Sequence, residues 1–335
     1  MIKSKIKWLI GGLALIVLLG GGFLYYSVAT PTDESIRQLQ ADADKFRLQG
    51  KYAQAEEYYR KSIKQANQKY GKNNIATASA YTGLGTVYTQ KKDHAKAADN
   101  LLLAADIYQH SAGNAIYPEK LFALKLAAAN SLEEVRDYKK ADSIYDFVEK
   151  HLNKLSPELQ FKYYLYRGRS YYNKHNFEQA SQSLQKAYDI NSTKTPGLNT
   201  EICEDLGNSY LRLNQFDKSQ FYYTKLLSLN QNKFGKNSPE TAVFHLLLAN
   251  ALCLDKKYSN ASFNYLKVIN ILEGNKNFNE YLVPAYFALG KIMLKQDKKT
   301  AVKYWKKAYA LQKQIPSSIY VSQIKLEKLI KSNDL

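Results

Sequence analysis

Five histidines, two cysteines and scattered carboxylates are the side chains of this chain equipped for bond-making chemistry. His94, His110, His151, His175 and His245 have the type of a general base or a metal ligand, and Cys203 and Cys253 that of a nucleophile or a disulfide. Their spacing supports none of these roles. No His-Glu-x-x-His stretch occurs, and no histidine stands at a metal-site interval from a cysteine or a second histidine. There is no Gly-x-Ser-x-Gly turn to expose a nucleophile and no Gly-x-x-x-x-Gly-Lys loop to cradle phosphates. Gly20-Gly21-Gly22 sits inside an apolar run. The pairs Glu133-Glu134 and Glu204-Asp205 fall on helical faces, where solvated charge is ordinary. The sequence therefore predicts no catalytic residue, no metal and no cofactor.

What would position such groups is a phrase written seven times. A large residue is followed three positions later by a small one, then after four by a large one, and after three more by a small or aliphatic one. It reads Tyr52-Ala55-Tyr59-Ser62, His94-Ala97-Leu101-Ala104, Tyr138-Ala141-Tyr145-Val148 and Phe177-Ala180-Leu184-Ala187. It continues at Phe216-Ser219-Tyr223-Leu226 and Tyr258-Ala261-Tyr265-Val268, and more weakly at Lys298-Ala301-Trp305-Ala308. Successive small residues lie 42, 44, 39, 39, 42 and 40 positions apart. A period in that range predicts stacked helical units, which offer a long surface rather than a catalytic pocket.

Each phrase comes after a second segment of 3, 4, 7 periodicity, the face of a helix. Examples are Tyr81-x-x-Leu84-Gly85-x-x-Tyr88, Cys203-x-x-Leu206-Gly207-x-x-Tyr210 and Tyr286-x-x-Leu289-Gly290-x-x-Met293. Glycine inside a helix costs about 1 kcal/mol relative to alanine. Its return at one register predicts helices so close that a Cβ would clash.

These segments resemble the tetratricopeptide repeat, an antiparallel helix pair, over roughly residues 34–315. The longer period is similar to the 42-residue variety of kinesin light chains. The extra length falls after the second helix, before Gly71 and Gly235, and Ser238-Pro239-Glu240 then caps the next helix. The resemblance implies an all-α solenoid, a right-handed superhelix of about seven helix pairs. Their bounds are near residues 34–75, 76–116, 117–156, 157–198, 199–238, 239–278 and 279–315, with a capping helix at 317–332.

The resemblance also implies that first helices line a concave groove for an extended peptide. Asn130, Asn208 and Asn250 come directly after the small residue of that register, and Arg169 and Lys291 hold the same place in other repeats. An amide supplies both donor and acceptor and so suits a main chain. Glu201, Glu204 and Asp205 add an acidic spot, and Leu246, Leu247 and Phe287 an apolar stretch. The implied partner is a protein segment of basic and apolar character. The family's carboxylate clamp is absent, because Gln40, Asp44, Asn130 and Glu133 stand at its positions.

The first thirty residues are a separate device. Trp8 to Tyr26 is uncharged for nineteen residues, just under 30 Å as a helix, and Lys3, Lys5 and Lys7 precede it. The sequence predicts a transmembrane signal-anchor helix over 8–28 with the N-terminus (1–7) cytoplasmic, a linker at 29–33 and extracytoplasmic repeats. The alternative is cleavage near Ala29 and release of a periplasmic or secreted chaperone-like factor. Formal charge is +18, which suits contact with anionic surfaces. Of 28 tyrosines, nearly half occupy repeat packing positions, which removes the main argument for base stacking on nucleic acid.

Overall fold

The structure is a computed structural model that describes residues 14–19, 22–27, 32–110, 118–191, 198–315 and 323–333. Beyond residue 32 every described element is helical. Seven antiparallel pairs succeed one another: α1 (Asp33–Leu48) with α2 (Tyr52–Tyr70), α3 (Ile75–Gln90) with α4 (His94–His110), and α5 (Pro118–Glu134) with α6 (Tyr138–Glu149). Next come α7 (Pro157–Asn173) with α8 (Phe177–Asn191), α9 (Leu198–Arg212) with α10 (Phe216–Phe234), α11 (Pro239–Leu254) with α12 (Tyr258–Leu272), and α13 (Asn279–Met293) with α14 (Lys298–Gln312). A last helix, α15 (Gln323–Asn333), packs on α14 through Leu326, which is fully buried. Two compact units divide within α7, residues 1–163 and 164–335.

The recurrent glycines do what their register predicts. A Cβ on Gly85 would stand 2.6 Å from the side chain of Leu101, one on Gly168 2.7 Å from Leu184, and one on Gly207 2.5 Å from the ring of Tyr223. At Gly290 it would run into the indole of Trp305. In each case the blocking residue is the second large residue of the phrase on the partner helix. Tyr59, Tyr145, Leu184, Tyr223, Tyr265 and Trp305 are all at most 2% exposed.

Second-helix length varies as the inserted residues predict. The α2 and α10 helices have 19 residues each, against 15 in α8, α12 and α14. The difference is about one turn. Gly71 and Gly235 end the long helices with φ of 81° and 94°, a conformation that a β-carbon disfavours. Asn74 and Ser238, three residues on, then cap α3 and α11 by accepting the amides of Thr77 and Thr241.

The N-terminal apolar run departs from expectation. Over its described residues the backbone is extended: β1 (Ala14–Leu19) pairs antiparallel with β2 (Gly22–Ser27), Leu19 opposite Gly22 and Ala14 opposite Ser27. A continuous helix over 8–28 is thus corrected for residues 14–19 and 22–27. The physical reason lies in the composition: glycines interrupt the run, and Ile16, Val17, Tyr25 and Tyr26 have side chains that favour strands. The remainder of the span lies outside the described residues. No helix among the described residues is long and apolar enough to cross a membrane.

Candidate partner-binding face

The first helices present one polar residue immediately after each packed small residue. In sequence order these are Asp44, Thr86, Asn130, Arg169, Asn208, Asn250 and Lys291. In three repeats the hydrogen bonding of this residue shows why it is polar. Tyr223 Oη donates to Asn208 Oδ1 at 2.7 Å, Tyr265 Oη to Asn250 Oδ1 at 2.8 Å, and Tyr59 Oη to Asp44 Oδ1 at 2.7 Å. Each pair is fifteen residues apart and links the two helices of one repeat. A buried phenol needs an acceptor, and this register supplies it. Burial, and then the Asp44 carboxylate, push the Tyr59 phenol up to about 12. Burial likewise raises Tyr223 and Tyr265, the latter with Cys253 beside it.

The correspondence extends through the chain. Four repeats pack a tyrosine, at 59, 145, 223 and 265, and fifteen residues earlier stand Asp44, Asn130, Asn208 and Asn250. Three repeats pack Leu101, Leu184 or Trp305, and their polar residues are Thr86, Arg169 and Lys291. Trp305 needs no such side chain, since its Nε1 donates to the Phe287 carbonyl at 3.2 Å. At Asn208 and Asn250 the asparagine therefore has a structural cause that sequence reasoning missed. The signal was present as this fifteen-residue co-occurrence.

The acceptor role leaves half of each amide unused. Among the described residues, Nδ2 of Asn208 and of Asn250 makes no hydrogen bond, and both side chains remain partly exposed. With Oδ1 held by a phenol, the amide rotamer is fixed and the NH2 group is left free for another acceptor.

Arg169 and the acidic spot form one cluster. Arg169 Nε donates to Asp205 Oδ2 at 2.7 Å, and its Nη2 to Glu201 Oε2 at 3.0 Å, joining α7 to α9. The single guanidinium of Arg169 therefore offsets one of the three charges of the predicted acidic spot. Glu204 alone of the three carboxylates makes no hydrogen bond or ion pair among the described residues. Burial, then the neighbouring Asp205, holds the Glu204 carboxyl above the usual carboxylate range. Burial also raises Asp205, against the opposing pull of Arg169.

The other candidates are dispersed. Lys291 on α13 lies over the Phe287 ring at 5.8 Å. Leu246 belongs to the core, at 6% exposure, while Leu247 and Phe287 are half-buried. Asn130 lies on α5 in the first unit, and the remaining candidates belong to the second. Both cysteines are free, Cys203 buried and Cys253 half-buried. His245 takes a packing role that its spacing did not foretell: its Nδ1 meets Asn264 Oδ1 at 2.8 Å in the core. No group of three or more histidine, cysteine, aspartate or glutamate side chains among the described residues is placed to hold a metal ion.

Paired helices with a glycine or alanine under a large residue, and a polar residue next to it, define a helical-repeat protein. The family profile of the tetratricopeptide repeat matches residues 43–110 and, in a second form, residues 200–233. Over those two stretches the chain matches the tetratricopeptide repeat. Solved structures share the fold. The C-terminal part of a TPR repeat-containing protein from Cytophaga hutchinsonii is 21% identical, with 85% of this chain and 98% of that one covered and a TM-score of 0.60. A tetratricopeptide repeat protein from Parabacteroides merdae is 18% identical over 90% of this chain and 100% of that one, with a TM-score of 0.52. The apo form of RapI is 13% identical over 84% and 98%, with a TM-score of 0.58. Among curated proteins none matches this sequence.

Proposed function

We propose that this protein is an interaction scaffold or assembly factor that grips a partner segment along the first helices of its second unit. The observation that carries the proposal is the pair Asn208 and Asn250. In both, a tyrosine occupies the amide oxygen and leaves the NH2 group unpaired on an accessible face. Such groups are preset donors for main-chain carbonyls of an extended segment, and prior fixing lowers the ordering entropy of binding. Glu204 adds an unpaired carboxylate on the same helix as Asn208, which suits a basic residue in the partner. The repeats are of the longer variety, near 42 residues. The apolar run from Trp8 to Tyr26, preceded by three lysines, supports tethering at a membrane with the repeats on its outer side.

The test separates the free NH2 from the occupied oxygen. Asn208→Asp/Asn250→Asp keeps the acceptor for each tyrosine, as Asp44 does naturally for Tyr59, and removes both donors. Crosslinking in intact cells should capture a few defined partners with the unchanged protein. Capture should fall tenfold to about a hundredfold in the variant, from two lost hydrogen bonds of roughly 1 kcal/mol each. Unchanged capture would place the partner on another face, and a broad set of unfolded clients would point to a chaperone instead. Intact mass of the membrane fraction reports whether residues 1–29 remain, and impermeant labelling of one engineered cysteine reports the side.

A further inference from the structure

Charge is distributed unevenly along this chain. Between residues 291 and 331 there are eleven lysines and two carboxylates, a net +9, which is half of the formal +18. The α2, α4, α6, α8 and α10 helices all carry carboxylates among their basic residues, whereas α14 has five lysines and none. Lys298, Lys299, Lys303, Lys306 and Lys307 line one open cavity of about 1070 Å³, with Thr300, Val302, Ala310 and Asn333 completing its wall. Lys307 is paired with Glu273 at 2.7 Å. Lys298, Lys299 and Lys303 make no ion pair among the described residues. The nearest carboxylate in sequence, Asp297, is engaged in capping α14 through Thr300.

Concentrating like charge on one helix is unfavourable unless an anion compensates it. Two of these lysines, Lys298 and Lys299, stand in the first turn of α14, where the helix dipole already favours negative charge. The cluster contains no arginine, so it lacks the planar fork that selects a single phosphate or carboxylate by bidentate geometry. Ammonium groups on flexible stems instead suit a surface of many mobile anions. The neighbouring helix continues the pattern. On α15, Lys325, Lys328 and Lys331 are exposed, as is Ile324, at 67%. Exposed lysines beside an apolar side chain match the composition of segments that rest in a headgroup layer.

We propose that the lysine cavity of α14, with the exposed face of α15, is a docking surface for the anionic headgroups of a phospholipid bilayer. It is independent of the first-helix face assigned above and does not require the N-terminal run to be a helix. The apolar run partitions into neutral and anionic lipid alike, and Lys3, Lys5 and Lys7 before it are common to the parent and the variant tested below, so the anionic binding lost between those two reads the α14 lysines.

The experiment is co-flotation of the full-length protein with vesicles of phosphatidylcholine, and of phosphatidylcholine containing phosphatidylglycerol. Amine acylation read by mass spectrometry reports Lys299 and Lys303 in the same samples. Binding should be stronger to the anionic vesicles, fall with added salt, and protect both lysines there but not on neutral vesicles. Lys299→Gln/Lys303→Gln/Lys306→Gln should reduce the anionic component by on the order of a hundredfold, about fivefold per lysine, and leave neutral binding unchanged. The three side chains are on the surface, and an unchanged melting temperature confirms an intact fold. Equal binding to both vesicles, or an anionic preference undiminished in the triple variant, overturns the proposal. Protection by soluble polyglutamate without protection by vesicles also overturns it, in favour of an acidic polypeptide.

Discussion

In the fourth repeat Gly168 of α7 faces Leu184, and in the fifth Gly207 of α9 faces Tyr223. An added Cβ would come within 2.7 and 2.5 Å of the two side chains. The apolar problem is the same in both repeats, and glycine solves it in both. The two repeats differ at the next residue along each first helix. Leucine is satisfied by contact alone, so Arg169 on α7 is released to join α9 through Asp205 and Glu201. Tyrosine brings a hydroxyl into the core, and Asn208 on α9 is drawn in to accept it. The identity of one packed side chain thus decides whether the exposed face beside it carries a bridge between helices or a fixed amide.

Truncating the packed residue gives the largest expected effect. Tyr265→Ala should destabilise the protein by about 4 kcal/mol and Leu184→Ala by about 3 kcal/mol, read by denaturant unfolding. Both changes empty a fully enclosed site, so similar values would show that the hydroxyl is a minor part of what tyrosine contributes. The next effect isolates that part. Asn250→Leu strands the Tyr265 hydroxyl and should cost about 2 kcal/mol, whereas Tyr265→Phe should cost about 1 kcal/mol. The double variant should cost less than the two together by about 1 kcal/mol. At the equivalent place beside Leu101, Thr86→Leu should fall within about 0.5 kcal/mol of the parent. Additivity in the Asn250 and Tyr265 cycle would dissolve the distinction between the two kinds of repeat.

The glycine contact was legible in the sequence, whereas the hydroxyl bond was not. Gly85, Gly168, Gly207 and Gly290 recur at one register, and a glycine kept inside a helix against its propensity already implies a close neighbour. Asn208 and Asn250 recur as well, but a surface amide has many uses, and only the spacing to Tyr223 and Tyr265 across a turn narrows them to one. That requires both registers to be read at once. The bridge from Arg169 to Asp205 spans 36 residues and two first helices, a distance at which charge patterns in sequence carry no direction. The apolar run at the N-terminus was read by length and hydropathy, which weigh glycine lightly. The strands at 14–19 and 22–27 reflect the glycines and β-favouring side chains that those measures average away.

Glu204 probes the same difference by pH. It stands beside the bridge from Arg169 yet receives no partner from it. Its carboxyl is raised by burial, so the folded state binds a proton more tightly than the unfolded state does. The stabilising contribution of that proton is complete below the ordinary carboxylate range and is lost as pH rises through the folded value. Glu204→Gln should therefore gain stability at pH 7, on the order of 0.5 kcal/mol given partial access to solvent. That gain should vanish as the pH falls below about 4, under the ordinary carboxylate range. A gain that persists at low pH would mean that the side chain is packed poorly rather than ionised unfavourably.

The smallest effect belongs to a feature that both kinds of repeat share. In the first six repeats the turn between first and second helices holds one residue at positive φ: Gly50, then Lys92, Arg136, His175, Asn214 and Lys256, with φ between 57° and 61° for the last five. A side chain there costs an L-residue about 1–2 kcal/mol, while glycine gives back part of that difference through its greater freedom when unfolded. Lys92→Gly, in a repeat that packs leucine, and Lys256→Gly, in one that packs tyrosine, should each stabilise the protein by about 0.5 kcal/mol. Thermal unfolding of both variants checks this. Equal gains would show that the turn is set by backbone geometry alone. A larger gain at Lys256 would mean that the tyrosine bond pulls on the turn, since Asn250 lies only six residues before it on α11 and its continuation.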